Sequence, residues 1–319
     1  MSGAWRPASS DACDGAFRLV EAVGPTQGVP GQATFRVLRP TDAASFVRAL
    51  VPSRPMVSRI FNEGQLRGAE GYALTRTDAI AAGAQVTLEL RATRAAGPAS
   101  AAPVTMLYED PILLAAEKPA GILVHGDGTG AETLTDRVQG HLAGEGSAAV
   151  PQALQRLDVD TSGIVLFSTA EELQPALDAL ISGDGLRKRY YAVIEGTLPR
   201  HAGPWLEVSA PIARDRHDAR RMRVGRTGKE ARTLLRTVAV RKGRSLVEAQ
   251  LVTGRRHQIR VHLAHLGHPI CGDSLYGGTP DGGGLLLHAH EAQLTHPLSG
   301  ELLVVRSALP ARLGTWGLA

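Results

Sequence analysis

Gln155-Arg156-Leu157-Asp158-Val159-Asp160-Thr161-Ser162-Gly163-Ile164-Val165-Leu166-Phe167 is the stretch on which the fold turns. Ile164 to Phe167 is a short apolar run with β-branched and aromatic members, the composition of a core strand. Asp160-Thr161-Ser162-Gly163 before it is turn chemistry: short polar side chains that bond nearby backbone, then a glycine free to take an unusual φ. One arginine and two carboxylates are therefore placed at the mouth of a rigid element, where geometry is held better than in a free loop. Turn chemistry alone is also satisfied by a solvated β-turn carrying two surface aspartates. In a straight strand Asp158 and Asp160 would share a face roughly 6–7 Å apart, a pair that suits a glycosidase-type acid and nucleophile. The Thr-Ser-Gly that follows favours Asp160 as a turn or capping residue instead.

The 319 residues around this stretch suffice for one large domain plus a small one. The formal charge of +4 is mildly basic and compatible with a polyanion partner. Lysine occurs only at Lys118, Lys188, Lys229 and Lys242, so the positive charge is almost all arginine. Arginine forks match phosphates and stack on bases, although a GC-rich genome would give the same excess. Two distant cysteines, Cys13 and Cys271, allow neither a disulfide framework nor a cysteine-based zinc motif, which points to a reducing cytoplasm. No basic-then-apolar leader and no run of about 18 apolar residues is present, so neither a signal peptide nor membrane association is expected. A monomer is expected.

Residues 1–35 have the composition of an N-terminal extension, with a strand pattern at Phe17–Val23. Residues 36–93 pattern as a small α+β domain. Asp42 is placed to cap a helix over Ala43–Leu50, Pro55 to start a second over Met56–Asn62, and Gln85–Leu90 alternates as a half-buried strand. Residues 94–103, rich in Ala, Pro and Gly, lack periodicity and form a linker. A larger domain occupies 104–319. It opens with a buried strand at Ile112–Ala116, the turn Lys118-Pro119-Ala120-Gly121, and a new apolar start at Ile122-Leu123-Val124-His125. Helices are expected over Thr133–Leu142 and Glu171–Ile181. In Lys188-Arg189-Tyr190-Tyr191-Ala192-Val193-Ile194-Glu195-Gly196 the period is two, which puts Tyr190, Ala192 and Ile194 on one face. Arg214, Arg216, Arg220, Arg221, Arg223 and Arg226 crowd one polar segment, either a phosphate-tracking loop or a solvated hairpin. Ser245–Val252 alternates as a strand and leads into Thr253-Gly254-Arg255-Arg256-His257-Gln258-Ile259-Arg260-Val261-His262, where Ile259, Leu263 and Leu266 share a helical face. Gly267 and Pro269 stop that helix, and Leu285–Ala289 and Leu294–Pro297 read as closing strands.

Four of these segments carry a family resemblance. Arg156-Leu157-Asp158-x-x-Thr161-Ser162-Gly163, the Lys118-Pro119-Ala120-Gly121 turn upstream, the Tyr190 strand, and the run Thr253–Arg260 followed by Gly267-His268-Pro269-Ile270-Cys271-Gly272-Asp273 together resemble the RluA-type pseudouridine synthases. Those enzymes isomerise selected uridines in structured RNA. The helix pair and strand of residues 36–93 resemble an S4-type RNA-binding domain, with Arg48, Arg54, Arg59 and Arg67 as its basic residues. The resemblance implies an α+β fold: a mixed, mainly antiparallel central sheet with flanking helices, preceded by the small α+β domain. It departs from the family at Gln155, where histidine is common, and at Glu117.

Isomerisation breaks the N1–C1′ bond, turns the uracil and rejoins it through C5, and the base must leave its stack to be reached. By the resemblance Asp158 is the nucleophile or electrostatic stabiliser, and Arg260 is the cation that keeps it ionised against burial. Tyr190 stacks on the uracil and helps remove the C5 proton. Arg156 contacts RNA near the flipped nucleotide, and Thr161, Arg255, His257 and Gln258 join it in binding. His257, His262, His265 and His268 have a spacing that also fits zinc, but the family has histidines at these places without metal, so no cofactor or metal is implied. Structured RNA is the partner: ribosomal RNA because an S4-like module precedes the domain, with tRNA left open. A non-catalytic RNA-binding or ribosome-assembly protein is the competing reading.

Overall fold

The structure is a computed structural model that describes residues 16–25, 30–91, 99–183, 185–199 and 202–316. Cys13, the first fifteen residues of the expected extension and residues 94–98 of the expected linker lie outside that set.

The central sheet follows the strand order Leu206–Ser209, Arg232–Arg241, Arg244–Leu251, Leu186–Glu195, Leu287–Thr295, Ser162–Ser168, Leu113–Lys118, Thr105–Glu109. Every pairing along it is antiparallel except one: Ser162–Ser168 runs parallel to Leu287–Thr295, through Ser162 opposite His288 and Gly163 opposite Ala289. Gly163 is required there. Its φ is +114°, and a Cβ would stand 2.2 Å from the Ala289 carbonyl oxygen. The sheet is thus mixed and mainly antiparallel, with the quoted stretch feeding its middle.

Ser162–Ser168 is buried on both sides, as its unbroken apolar run requires. Ile164 and Leu166 belong to one core, Val165 and Phe167 to the other. The second core holds the helix Gln258–His265 through Ile259 and Leu263, and Tyr190 from its strand. The first core is shared with a second, four-stranded sheet, in which Phe17–Val23, Gly31–Val37, Gln85–Leu90 and Leu66–Gly68 lie side by side. Phe17–Val23 pairs with Gly31–Val37, so the boundary expected at residue 36 falls inside this sheet. Asp42 caps Ala43–Leu50 by accepting from the Ser45 N–H, and Ser53 starts the second helix at Arg54, two residues before the expected Met56. At the C-terminal side the two expected closing strands are one strand, Leu287–Thr295, followed by an unforeseen strand Leu302–Arg306 that pairs with it. Residues 311–314 form a short helix that docks Leu313 into the core. Among the described residues no helix is long and apolar enough to cross a membrane.

Candidate active site

The turn before Ser162–Ser168 is closed by the Thr161 N–H donating to the Asp158 carbonyl at 3.0 Å. Its backbone is clamped from below. Lys118 is fully buried, and its ammonium donates to the carbonyls of Val159, Ile122 and Pro119 at 2.7, 2.8 and 2.9 Å. Three protons meet three acceptors, which is the whole capacity of a lysine. Burial pulls its pKa down to about 8, while the charges of Asp160 and Asp158 resist that shift. The Gly121 N–H adds a further bond to Val159. The Lys-Pro-Ala-Gly turn therefore holds the Asp158 loop rather than merely reversing the chain. The sequence signal was a lysine ending an apolar strand in a protein with few lysines.

Arg260 reaches the same turn from the helix Gln258–His265. Its Nη1 donates to Oδ2 of Asp158 at 3.1 Å, and its Nε and Nη2 donate to the two oxygens of buried Asp273 at 2.8 Å each. The Tyr276 ring lies 5.1 Å from the guanidinium carbon. Burial works against the arginine charge, but the hydrogen bonds and charge of Asp273, then those of Asp158, outweigh it and hold the group above its ordinary pKa. Asp273 occupies one edge of the fork, which fixes the direction of the remaining nitrogen. Asp158 thus meets a permanent, pre-aimed cation on one oxygen. His257 Nε2 stands 3.6 Å from its other oxygen, Oδ1, and His257 Nδ1 lies 2.8 Å from the Tyr276 hydroxyl. Burial lowers the imidazole pKa, opposed by Asp158 and reinforced by Arg260 and Arg256.

Asp158, His257 and Arg260 face a cleft of about 640 Å³. Arg156, Asp158 and Thr161 line one wall, Tyr190 and Lys188 another, and Arg255 to Arg260 the third, over a floor that includes Leu186, Leu251 and Leu287. Tyr190 is buried except for its cleft side; burial and the charge of Asp158 raise its hydroxyl pKa, so it stays neutral. Tyr191, on the opposite side of the strand, packs against the His290 ring instead.

The expected residues converge on this cleft but differ in what they offer. Arg156 is exposed at its rim. Thr161 is buried, and its hydroxyl has no partner among the described residues. Arg255 donates through Nε to the Glu230 carbonyl, which leaves the rest of its fork outward. Gln258 is committed internally: its oxygen accepts from the Thr253 hydroxyl and the Arg255 N–H, and its nitrogen donates to Arg232 and Thr233. A side chain with no free donor braces the Thr253–His257 loop rather than reaching for RNA. Asp160 is exposed and does not line the cleft, because the turn intervenes between it and Asp158; the straight-strand pair does not form. The histidines diverge. His262 bonds Thr233 and the Ala210 carbonyl, and His268 faces the Glu195 carbonyl, while His257 turns to Tyr276. Tyr276 and Asp273 complete the site and were not read as part of it. A buried arginine on a helix demands a carboxylate, and that demand was the available clue.

A carboxylate held beside a fixed guanidinium, under a neutral tyrosine in a half-apolar cleft, is equipped for nucleophilic attack on, or charge stabilisation of, a flat polar substrate. Comparison with known proteins agrees. Residues 112–265 match the RNA pseudouridylate synthase family. The uncharacterized RNA pseudouridine synthase YhcT of Bacillus subtilis is 40% identical over 213 residues, covering 65% of this chain and 68% of its own length. A second uncharacterized Bacillus subtilis RNA pseudouridine synthase, YlyB, is 33% identical across 81% of this chain and 86% of its own. The ribosomal large subunit pseudouridine synthase D of Nitrosomonas europaea is 37% identical over 66% of this chain and 64% of its own. The human RNA pseudouridylate synthase domain containing 4 shares the fold, with a TM-score of 0.54 at 24% identity over 66% of this chain and 90% of its own. The arrangement around Asp158 and these matches together establish that the chain belongs to the RluA-type family of RNA pseudouridine synthases.

Proposed function

We propose that the protein isomerises uridines of ribosomal RNA, with Asp158 as the nucleophile. The observation that carries this is the Asp158 carboxylate, held 3.1 Å from Arg260 in a cleft that also presents Tyr190. Arg260 sets a fixed positive charge against the carboxylate in a half-buried setting, and Tyr190 offers a ring for the extruded uracil. Arg156 and Arg255, exposed at the cleft mouth, meet the backbone next to the flipped nucleotide. Thr161 offers an unpartnered hydroxyl inside. No cofactor or metal is required by this chemistry. The ribosomal target is supported by the relative named a large-subunit synthase and by the S4-like unit of residues 36–93. There Arg48, Arg54 and Arg76 line a groove beside the start of the helix Arg54–Asn62, a suitable seat for phosphates. The enzyme works as a cytoplasmic monomer in this reading.

The test is tritium release from 5-³H-uridine-labelled ribosomal RNA, comparing the intact protein with Asp158→Asn. Release by the former and none by the latter is expected. No release from either protein, on ribosomal RNA and on tRNA, would leave a non-catalytic RNA-binding role instead.

A further inference from the structure

His257 has a φ of +57°, one of two positive values at non-glycine positions among the described residues. That conformation costs about 1–2 kcal/mol in a residue with a Cβ. Helix capping does not explain it, because His257 precedes Gln258–His265 without making a side-chain cap. The backbone instead aims the ring between two groups: the Tyr276 hydroxyl at Nδ1, and Oδ1 of Asp158 at Nε2. Oδ1 is the oxygen that Arg260 leaves uncovered.

Burial favours the neutral ring, which carries one N–H. The Tyr276 oxygen accepts the Met222 backbone N–H at 2.8 Å, and Nδ1 beside it gives the hydroxyl proton an acceptor, so the Nε2–H tautomer lets the hydroxyl both accept and donate. Nε2 then carries the hydrogen and faces Asp158. Met222 begins the strand Met222–Val224, which pairs with Ile212–Arg214 to make the arginine-rich segment a hairpin, and Arg221 lies over the Tyr276 ring at 5.5 Å. A chain of contacts therefore runs from an arginine-rich surface through Tyr276 and His257 to the carboxylate. Its last gap, 3.6 Å, is too long for a hydrogen bond. Catalytic hydrogen bonds are often long before the Michaelis complex forms and tighten within it.

We propose that His257 is a positioning residue for Asp158: RNA drawn against the arginine hairpin seats Tyr276, and His257 then donates its Nε2–H to Oδ1. The proposal rests on Asp158 being the reacting group. Around that carboxylate stand Arg260 on the same helix, Tyr190 on Leu186–Glu195, Lys118 below, Asp160 two residues on, and Asp273 and Tyr276 behind Arg260. Among the described residues only Arg260 donates to it, at Oδ2.

The test compares pH profiles of tritium release for the full chain and its variants. His257→Gln keeps an amide N–H where Nε2 stood. His257→Asn keeps a polar group only at Nδ1, while tolerating the left-handed backbone better than most residues. His257→Asn should lose about 10- to 100-fold in kcat, the worth of one hydrogen bond to a charged group. Its KM for RNA should stay within about threefold, and the acid limb of kcat/KM should move to higher pH once the Nε2–H donor is gone. His257→Gln should recover most of kcat and the original acid limb. Ring ¹⁵N shifts should show the Nε2–H form in the intact protein and a mixture in Tyr276→Phe. A wild-type profile in His257→Asn, or an Nδ1–H ring in the intact protein, overturns the proposal. Asp158→Asn measured alongside keeps the two readings apart: activity there removes Asp158 as the reacting group, whereas its inactivity beside an unaffected His257→Asn refutes only the role of His257.

Discussion

Beneath the Asp158 turn, His288 is fully buried between two hydroxyls, Ser162 at 2.9 Å from Nδ1 and Ser307 at 3.0 Å from Nε2. Burial, aided by neighbouring His290, lowers its pKa to about 4. An unfolded histidine titrates near ~6.5, so between those values the unfolded chain holds the extra proton. Stability from this group is complete above the upper value and is lost as pH falls toward the lower one, a change of about 3 kcal/mol over the window. His288→Asn should be less stable at pH 7 but should show a flatter loss on acidification. Urea unfolding midpoints at pH 7 and 5 check this, and an unaltered slope would contradict it. At this scale the sequence was legible where a motif runs along the chain: Asp158, Tyr190 and Arg260 come to one cleft. It was opaque where a partner arrives from elsewhere. The contacts of Asp273, Tyr276 and Lys118 with Arg260, His257 and Val159 join residues apart in sequence, and the motifs that hold Asp273 and Lys118 do not record which partner each meets.

The strand Ser162–Ser168 owes its place to one missing side chain. Gly163→Ala would drive a Cβ against the Ala289 carbonyl at a φ that alanine avoids. The variant should lose about 3 kcal/mol or more and with it the alignment of the Asp158 turn; thermal melting and tritium release measure the two losses. Element identity was readable here because the run Ile164–Phe167 is apolar without interruption, and because Asp42 and Thr133 announce the helices that they cap. The joining of the closing strands was not readable. His290 and Glu291 interrupt the apolar pattern of Leu287–Thr295, yet Glu291 is satisfied inside the sheet by Arg306 at 2.8 Å and faces Arg189. A polar residue with cross-strand partners looks, in one dimension, like a break.

At the scale of the molecule, the two sheets meet through a polar lock as well as a shared core. Glu172 is fully buried, accepts from Gln65 Nε2 at 2.7 Å and from the Arg91 N–H at 2.9 Å, and has its pKa raised by burial against the pull of those bonds. Arg59 pairs with Glu171 beside it, so this arginine, expected from the sequence to be one of the RNA-facing basic residues, is engaged in bridging the two sheets. Glu172→Ala leaves two buried donors unpaired and should cost about 2–4 kcal/mol. Calorimetry should then resolve two transitions in place of one; a single unshifted transition would contradict the lock. Composition hid this arrangement, since a Pro- and Gly-rich start suggests a tail, whereas Phe17 and Leu19 are core residues. The parallel pairing of Ser162 with His288 has a last consequence, in time rather than space. A ribosome releases the Asp158 turn long before Arg260, Asp273, Tyr276 and His288, the residues that shape it. Long-range pairings of this kind form late, so a growing chain can assemble its first sheet early but completes its active site only once residues 257–288 have been made.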